Sequence, residues 1–343
     1  MKGKRAVVFS LAGLLLGSVV CATAAGSVVI PFQTVMAIFL NAATGVTADG
    51  WAPSQATIVL HLRLPRVLLA LVVGGALALG GAVLQGLFRN PMADPGIIGV
   101  SSGGAVGAVT AVASGLVLAY PWVLPLFAFL GASGATVAIY RLSTHHGRTP
   151  VATLLLAGLA VGAFLTALSS FVLTLAQNIF VLREMLFWLM GGLDGRGWKH
   201  LLLASGPVFL GSLGLLLFAK DLNVLAASGE EGAKSLGVDM HRLKRWLLGL
   251  TALITGAVVS VSGIIGFVGL IVPHAVRLLA GPDHRLLLPA SFLGGAIFLV
   301  WIDLLTRTVA PTEELRLGVV TAAVGAPFFI FLLQRHRKQG ETL

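Results

Sequence analysis

Long uncharged apolar runs separated by short charged segments organise this chain. A helix crosses a bilayer with about 20 such residues, and runs of that scale fall at 6–30, 67–87, 95–140, 151–182, 201–219, 246–273, 286–302 and 317–334. The run 95–140 is too long for one helix. Tyr120-Pro121-Trp122 divides it, because proline ends helices and aromatic rings favour the membrane interface. The stretch 246–281 holds either one long helix or two, the second short and beginning near Gly266.

Charge selects between these readings. With ten spans and the amino end inside, the 23 lysines and arginines divide into 16 cytoplasmic and 7 external; with nine spans they divide 13 to 10. Cytoplasmic loops carry the excess of positive charge, so the count favours ten spans with both termini in the cytoplasm. The expected fold is therefore all-α: a polytopic membrane protein of about ten transmembrane helices, in one transmembrane domain over 1–343. Lys2, Lys4 and Arg5 precede the first run, and Ala22-Thr23-Ala24 has the form of a signal-peptidase site. The length of that run favours a retained first helix.

Composition agrees. Of 343 residues, 57% are hydrophobic and only 10% charged, where soluble domains carry about a quarter charged. The 43 glycines suit helices that pack closely through small residues. Cys21 is the one cysteine, which excludes a disulfide framework. The net charge of +10 lies in short loops rather than in a basic stripe with interleaved aromatics, so no nucleic-acid partner is expected.

Several motif matches carry no chemistry. Gly131-Ala132-Ser133-Gly134 and Gly99-Val100-Ser101-Ser102-Gly103 resemble serine-nucleophile patterns, yet seven of the eight histidines lie in loops or at helix ends, and such matches are expected in so glycine-rich a chain. Gly229-Glu230-Glu231-Gly232-Ala233-Lys234-Ser235 has alanine where a phosphate loop needs glycine before its lysine. The His145-His146 pair has no neighbouring carboxylate or cysteine, so no metal site is expected. Gly-Ile-Ile-Gly at both 96–99 and 263–266 hints at a duplicated half. Asp303 and Glu184 sit near span ends rather than at mid-depth. That argues against a proton- or ion-coupled secondary transporter, the alternative function class.

Two polar regions invite a functional reading. The loop 220–245 combines Glu230-Glu231-Gly232-Ala233, Leu236-Gly237-Val238 and a basic run; short amphipathic helices broken by Gly237 would present a surface to a cytoplasmic partner. Arg63 and Arg66, three apart, share a helical face if their turn is helical, and Arg307 ends the ninth span on the same outer side.

Arg63-Leu64-Pro65-Arg66, then Gly74 to Gly86, then Asn90-Pro91-Met92-Ala93-Asp94-Pro95-Gly96-Ile97-Ile98-Gly99 resemble the FecCD-type permeases. Phe187 to Gly192, Gly263 to His274 and Leu317 to Phe328 continue the likeness in the same order, from about 60 to 335. The resemblance implies the permease subunit of an ATP-binding-cassette importer for a ferric siderophore, haem or cobalamin. It would sit in the inner membrane as a homodimer, with two cytoplasmic ATPase subunits and a periplasmic or surface binding protein. No enzymatic activity and no cofactor would belong to this chain; ATP and Mg²⁺ would bind the ATPase. On the same basis Arg63, Arg66 and Arg307 would dock the binding protein. Glu230, Glu231, Gly232, Ala233, Leu236, Gly237 and Val238 would couple to the ATPase. Gln85, Asn90, Pro91 and Asp94 would border the translocation pathway.

Overall fold

The computed structural model describes residues 2–26, 28–45, 50–145, 149–176, 178–309 and 315–338. His146 and Arg148 of the loop before residue 151 lie outside the described residues. Every regular element among them is helical: α1 (Lys2–Ala24), α2 (Phe32–Thr44), α3 (Pro53–Thr57), a π-helical turn (Ile58–Arg63), α4 (Leu64–Phe88), a 3₁₀ turn (Pro95–Ile98), α5 (Val100–Ala113), α6 (Leu116–Ala119), α7 (Val123–Ser143), α8 (Val151–Thr174), α9 (Ile179–Leu189), α10 (Trp198–Leu217), α11 (Ala219–Ser235), α12 (Met240–Ser262), α13 (Val268–Ala280), α14 (His284–Val309) and α15 (Leu317–Lys338).

Seven of these are long and apolar enough to cross a membrane: α1, the continuous helix 53–88, α7, α8, α10, α12 and α14. The other three expected spans fall on α5, α13 and the apolar part of α15 (Leu317–Ile330), each shorter than a full crossing. The chain is thus a multi-pass membrane protein. Tyr120 to Trp122 separate α6 from α7, as proline and interfacial aromatics require. The stretch 246–281 does hold two helices. α12 stops at Gly263 (φ 69°), and α13 begins after Phe267, itself held at φ 69°. The two Gly-Ile-Ile-Gly copies differ in backbone: the first makes the 3₁₀ turn and the second the irregular link from α12 to α13.

Helix α4 is the hub. In the helix that contains it 83% of the most apolar window is buried, against 11% for α8. It packs on α14, α12, α13 and α10. The approach to α14 is so close that a β-carbon on Gly74 would collide with the Gly295 carbonyl, and one on Gly295 with that of Gly74. Small residues at such crossings let backbones meet without a solvent-driven hydrophobic force.

The stretch 220–245 holds short helices, α11 and the start of α12, with Gly237 (φ 88°) in the link between them, as expected. A further break comes at Gly229 (φ 75°, ψ −177°), where a left-handed backbone splits α11 in two. One expectation of local structure is revised. Arg63 and Arg66 do not share a regular α-helical face. Pro65 cannot donate a backbone hydrogen bond and crowds the preceding turn, and the helix widens to π bonding over Ile58–Arg63.

Candidate functional site

A groove of about 850 Å³ runs along α8. Leu155, Gly158, Leu159, Gly162, Thr166, Ser170 and Leu173 form one wall. From Leu155 to Leu173 the helix rises about 27 Å at 1.5 Å per residue, close to the ~30 Å of a hydrocarbon core. Asn90, Met92, Asp94, Gly96, Ser101 and Ser102 line the groove on the facing side, with Leu189 and Ile264 also contributing. The turn carrying Asn90 to Asp94 is fixed by its own side chains. Asn90 Oδ1 accepts the Met92 N–H at 2.9 Å, and Asp94 Oδ1 accepts the Gly96 N–H at 2.8 Å, capping the 3₁₀ turn. Of the expected pathway residues, Asn90 and Asp94 reach the groove. Gln85 lies deeper, where Nε2 donates to the Gly269 and Leu270 carbonyls and Oε1 accepts from Arg277 at 3.1 Å.

At one end of the bundle the arginines expected to face a partner turn inward. Arg66 donates to Asp303 at 2.8 Å and to Asp194 at 2.7 Å. Arg307 bonds the second oxygen of Asp303 at 2.9 Å and the Ala22 carbonyl at 3.0 Å. Arg63 is buried and donates to the carbonyls of Thr23, Ala24 and Val28. Asp303 is wholly buried, and Arg316 completes the cluster through Asp194 at 3.1 Å. The inward turn of Arg66 and Arg307 has a plain cause: two carboxylates the sequence left unpaired, Asp194 and Asp303, lie within reach. Arg63, Arg66, Arg196 and Arg307 nevertheless share the lining of a pocket of about 480 Å³. A neighbouring pocket of about 590 Å³ contains Phe187, whose ring lies 4.7 Å from the Arg183 guanidinium and 3.8 Å from that of Arg316, within cation–π range. Burial holds the Arg196 guanidinium below its ordinary pKa, with Glu184 opposing that shift. The arrangement suits an anionic group arriving from outside the fold.

At the other end, α11 offers less free surface than its sequence suggests. Glu230 binds Lys244 Nζ with both oxygens (2.9 and 2.8 Å), and Lys244, itself buried, also donates to the Thr149 carbonyl at 2.8 Å. Glu230 thus staples α11 to α12, and Ala233 is fully buried. Of the expected coupling residues, Glu231, Leu236 and Gly237 are exposed, and Gly232 and Val238 partly so. Leu236 stands 69% exposed, an apolar side chain open at the surface. Sequence reasoning missed Asn223, Asp283 and His284, which bond to one another beside this surface. No spacing signals them, because they come from α11 and the start of α14.

A sequence model of the FecCD transport family matches residues 14–335. A cobalamin import system permease protein, BtuC, of Halobacterium salinarum is 50% identical over 283 residues, covering 82% of this chain and 75% of that one. A hemin transport system permease protein, HmuU, of Yersinia pestis is 43% identical over 291 residues, covering 82% and 84%. Among solved structures, an ABC transporter assigned to the metal-chelate type, in an inward-facing conformation, superposes with a TM-score of 0.84 at 32% identity, covering 96% and 99% of the two chains.

Proposed function

The chain belongs to the FecCD transport family, and on that premise we propose that it is one of two identical permease subunits of an ATP-driven importer, which carries a ferric siderophore, haem or cobalamin from periplasm to cytoplasm across the inner membrane. The observation that carries this reading is the groove along α8, as long as a bilayer is thick, on the least covered long helix inside the chain apart from its ends. A second copy facing it would close two half-grooves into one conduit. The apolar lining, with few polar groups, suits a bulky chelate that must be released rather than held.

Ten crossings, the three shorter helices included, put both termini in the cytoplasm and the arginine end outside. There an acidic side chain of each lobe of a binding protein would enter the pocket of Arg63, Arg66, Arg196 and Arg307. On the cytoplasmic side, Leu236 with Glu231 and Gly237 would seat a separate ATPase, which alone binds ATP and Mg²⁺. Gln85, Asn90, Pro91 and Asp94 would border the inner mouth. Closure of the ATPase pair would then shift the helix ends around the groove, giving alternating access.

Uptake measured in liposomes tests this. The chain reconstituted with its ATPase should accumulate haem or cobalamin when ATP is supplied on the ATPase side and binding protein on the other. Accumulation by this chain alone, driven by an ion gradient, would refute it.

A further inference from the structure

The seat for an ATPase and the groove are separated by buried protein, so any motion of α11 must reach the groove through contacts. One set is built for it. Asn223, in the first half of α11, donates from Nδ2 to Asp283 Oδ1 at 2.6 Å. Its Oδ1 accepts two bonds from His284, from the backbone N–H and from Nδ1, both at 2.8 Å. Asp283 also accepts the Arg285 N–H at 3.0 Å, as a residue capping the first turn of α14 does. The amide thus uses donor and acceptor together, fixing α11 to the start of α14 in one geometry.

His284 carries the contact onward. It is 97% buried, with 3% of its surface exposed, and its Nε2 faces Gly86 so closely that a β-carbon there would collide with it. Leu222, next to Asn223, packs against the same glycine. Gly86 follows Gln85, the residue that ties α4 to Gly269, Leu270 and Arg277 of α13. Four residues further the chain enters the Asn90–Asp94 turn that lines the groove. The second half of α11 is held separately, by Glu230 on Lys244, across the break at Gly229. Close-packed contacts of this kind transmit displacement because interiors are nearly incompressible.

We propose that Asn223 is a positioning residue that transmits displacement of α11, through His284, to the inner end of α4 and hence to the mouth of the groove. This rests on the reading of α11 as the ATPase seat. It makes Asn223 necessary for coupling hydrolysis to transport, and not for assembly.

The reconstituted complex with ATPase and binding protein tests it through Asn223→Asp, Asp283→Asn and the double exchange. Asn223→Asp sets two carboxylates in contact. Cargo moved per ATP hydrolysed should fall about tenfold, within the usual range of coupling energies, while ATPase co-purification and melting temperature hold. Asp283→Asn keeps a carbonyl acceptor for the amide and should stay near wild type. The double exchange should restore coupling, since the exchanged carboxylate still accepts both His284 N–H groups and the exchanged amide donates to it. Unchanged cargo per ATP in Asn223→Asp overturns the proposal, as does a double exchange no better than Asn223→Asp. So does a loss that tracks dissociation of the ATPase. A wild type that moves cargo without ATP would instead overturn the importer reading, and the proposal with it.

Discussion

At the arginine end a fully buried Asp303 is gripped by two arginines, whereas at the α11 end the ion pair Glu230–Lys244 leaves its carboxylate 39% exposed and the neighbouring joint is one amide, Asn223, shared between Asp283 and His284. The energies differ accordingly. Removing one partner of a buried ion pair costs about 3–5 kcal/mol, because the other charge is left unpaired; a hydrogen bond to a charged group contributes about 1.5–3 kcal/mol net. The first end is held as a rigid platform. The second is fastened by weaker single contacts, still packed closely enough to pass on a displacement of α11. An element that must move under an external drive belongs at the second end.

The largest expected effect would break this contrast if it failed. Asp303→Ala leaves Arg307 with no carboxylate and Arg66 with Asp194 alone, and should lower stability by about 3–5 kcal/mol, read as a drop in melting temperature in detergent. Lys244→Met removes the bonds to Glu230 and the Thr149 carbonyl, and should cost about 1–3 kcal/mol. If Lys244→Met proves as damaging as Asp303→Ala, the two ends do not differ as argued.

A third test sharpens the arginine end as a docking face. Reversing Arg66 would place a third carboxylate beside Asp194 and Asp303, so it reports on folding rather than on docking. Arg183 and Lys199 are exposed and suit the purpose better. Arg183→Glu with Lys199→Glu should slow association of the binding protein about tenfold at low salt, with the deficit shrinking as salt rises. Stopped-flow binding measures it, and an unchanged rate removes electrostatic steering from that face.

The smallest effect concerns acid. The hydrogen bond from Asn223, followed by that from the Arg285 N–H, holds the Asp283 carboxyl below its ordinary pKa. The unfolded chain therefore binds this proton more readily, so stability from Asp283 is present above about pH 4 and lost as pH falls further. Melting temperature should decline less steeply with acid in Asp283→Asn than in wild type. Equal slopes would mean the clamp does not hold the carboxylate ionised.

Much of the architecture was legible in residue order. Hydrophobic runs located most of the helices, and Tyr120-Pro121-Trp122 the break between α6 and α7, while Asn90 to Asp94 were placed at the pathway by family resemblance alone. The runs and the break depend on neighbours a few residues away, and proline acts locally. The short α13 was left open because a 13-residue helix has no separate hydrophobic signature inside a longer apolar run.

Which charges face a partner and which face each other was decided only by the tertiary structure. Arg66 and Asp303 are 237 residues apart, Lys244 and Thr149 95, Asn223 and His284 61. Coulomb and hydrogen-bond energies depend on distances of a few ångströms, and only the packing of α4, α11, α12 and α14 brings these groups that close. The sequence determined that this chain lies in a membrane and where most of its helices run; folding determined that Arg66, Arg307 and Arg316 form a lattice of ion pairs with Asp194 and Asp303 and that α11 is fastened to the helices around the groove.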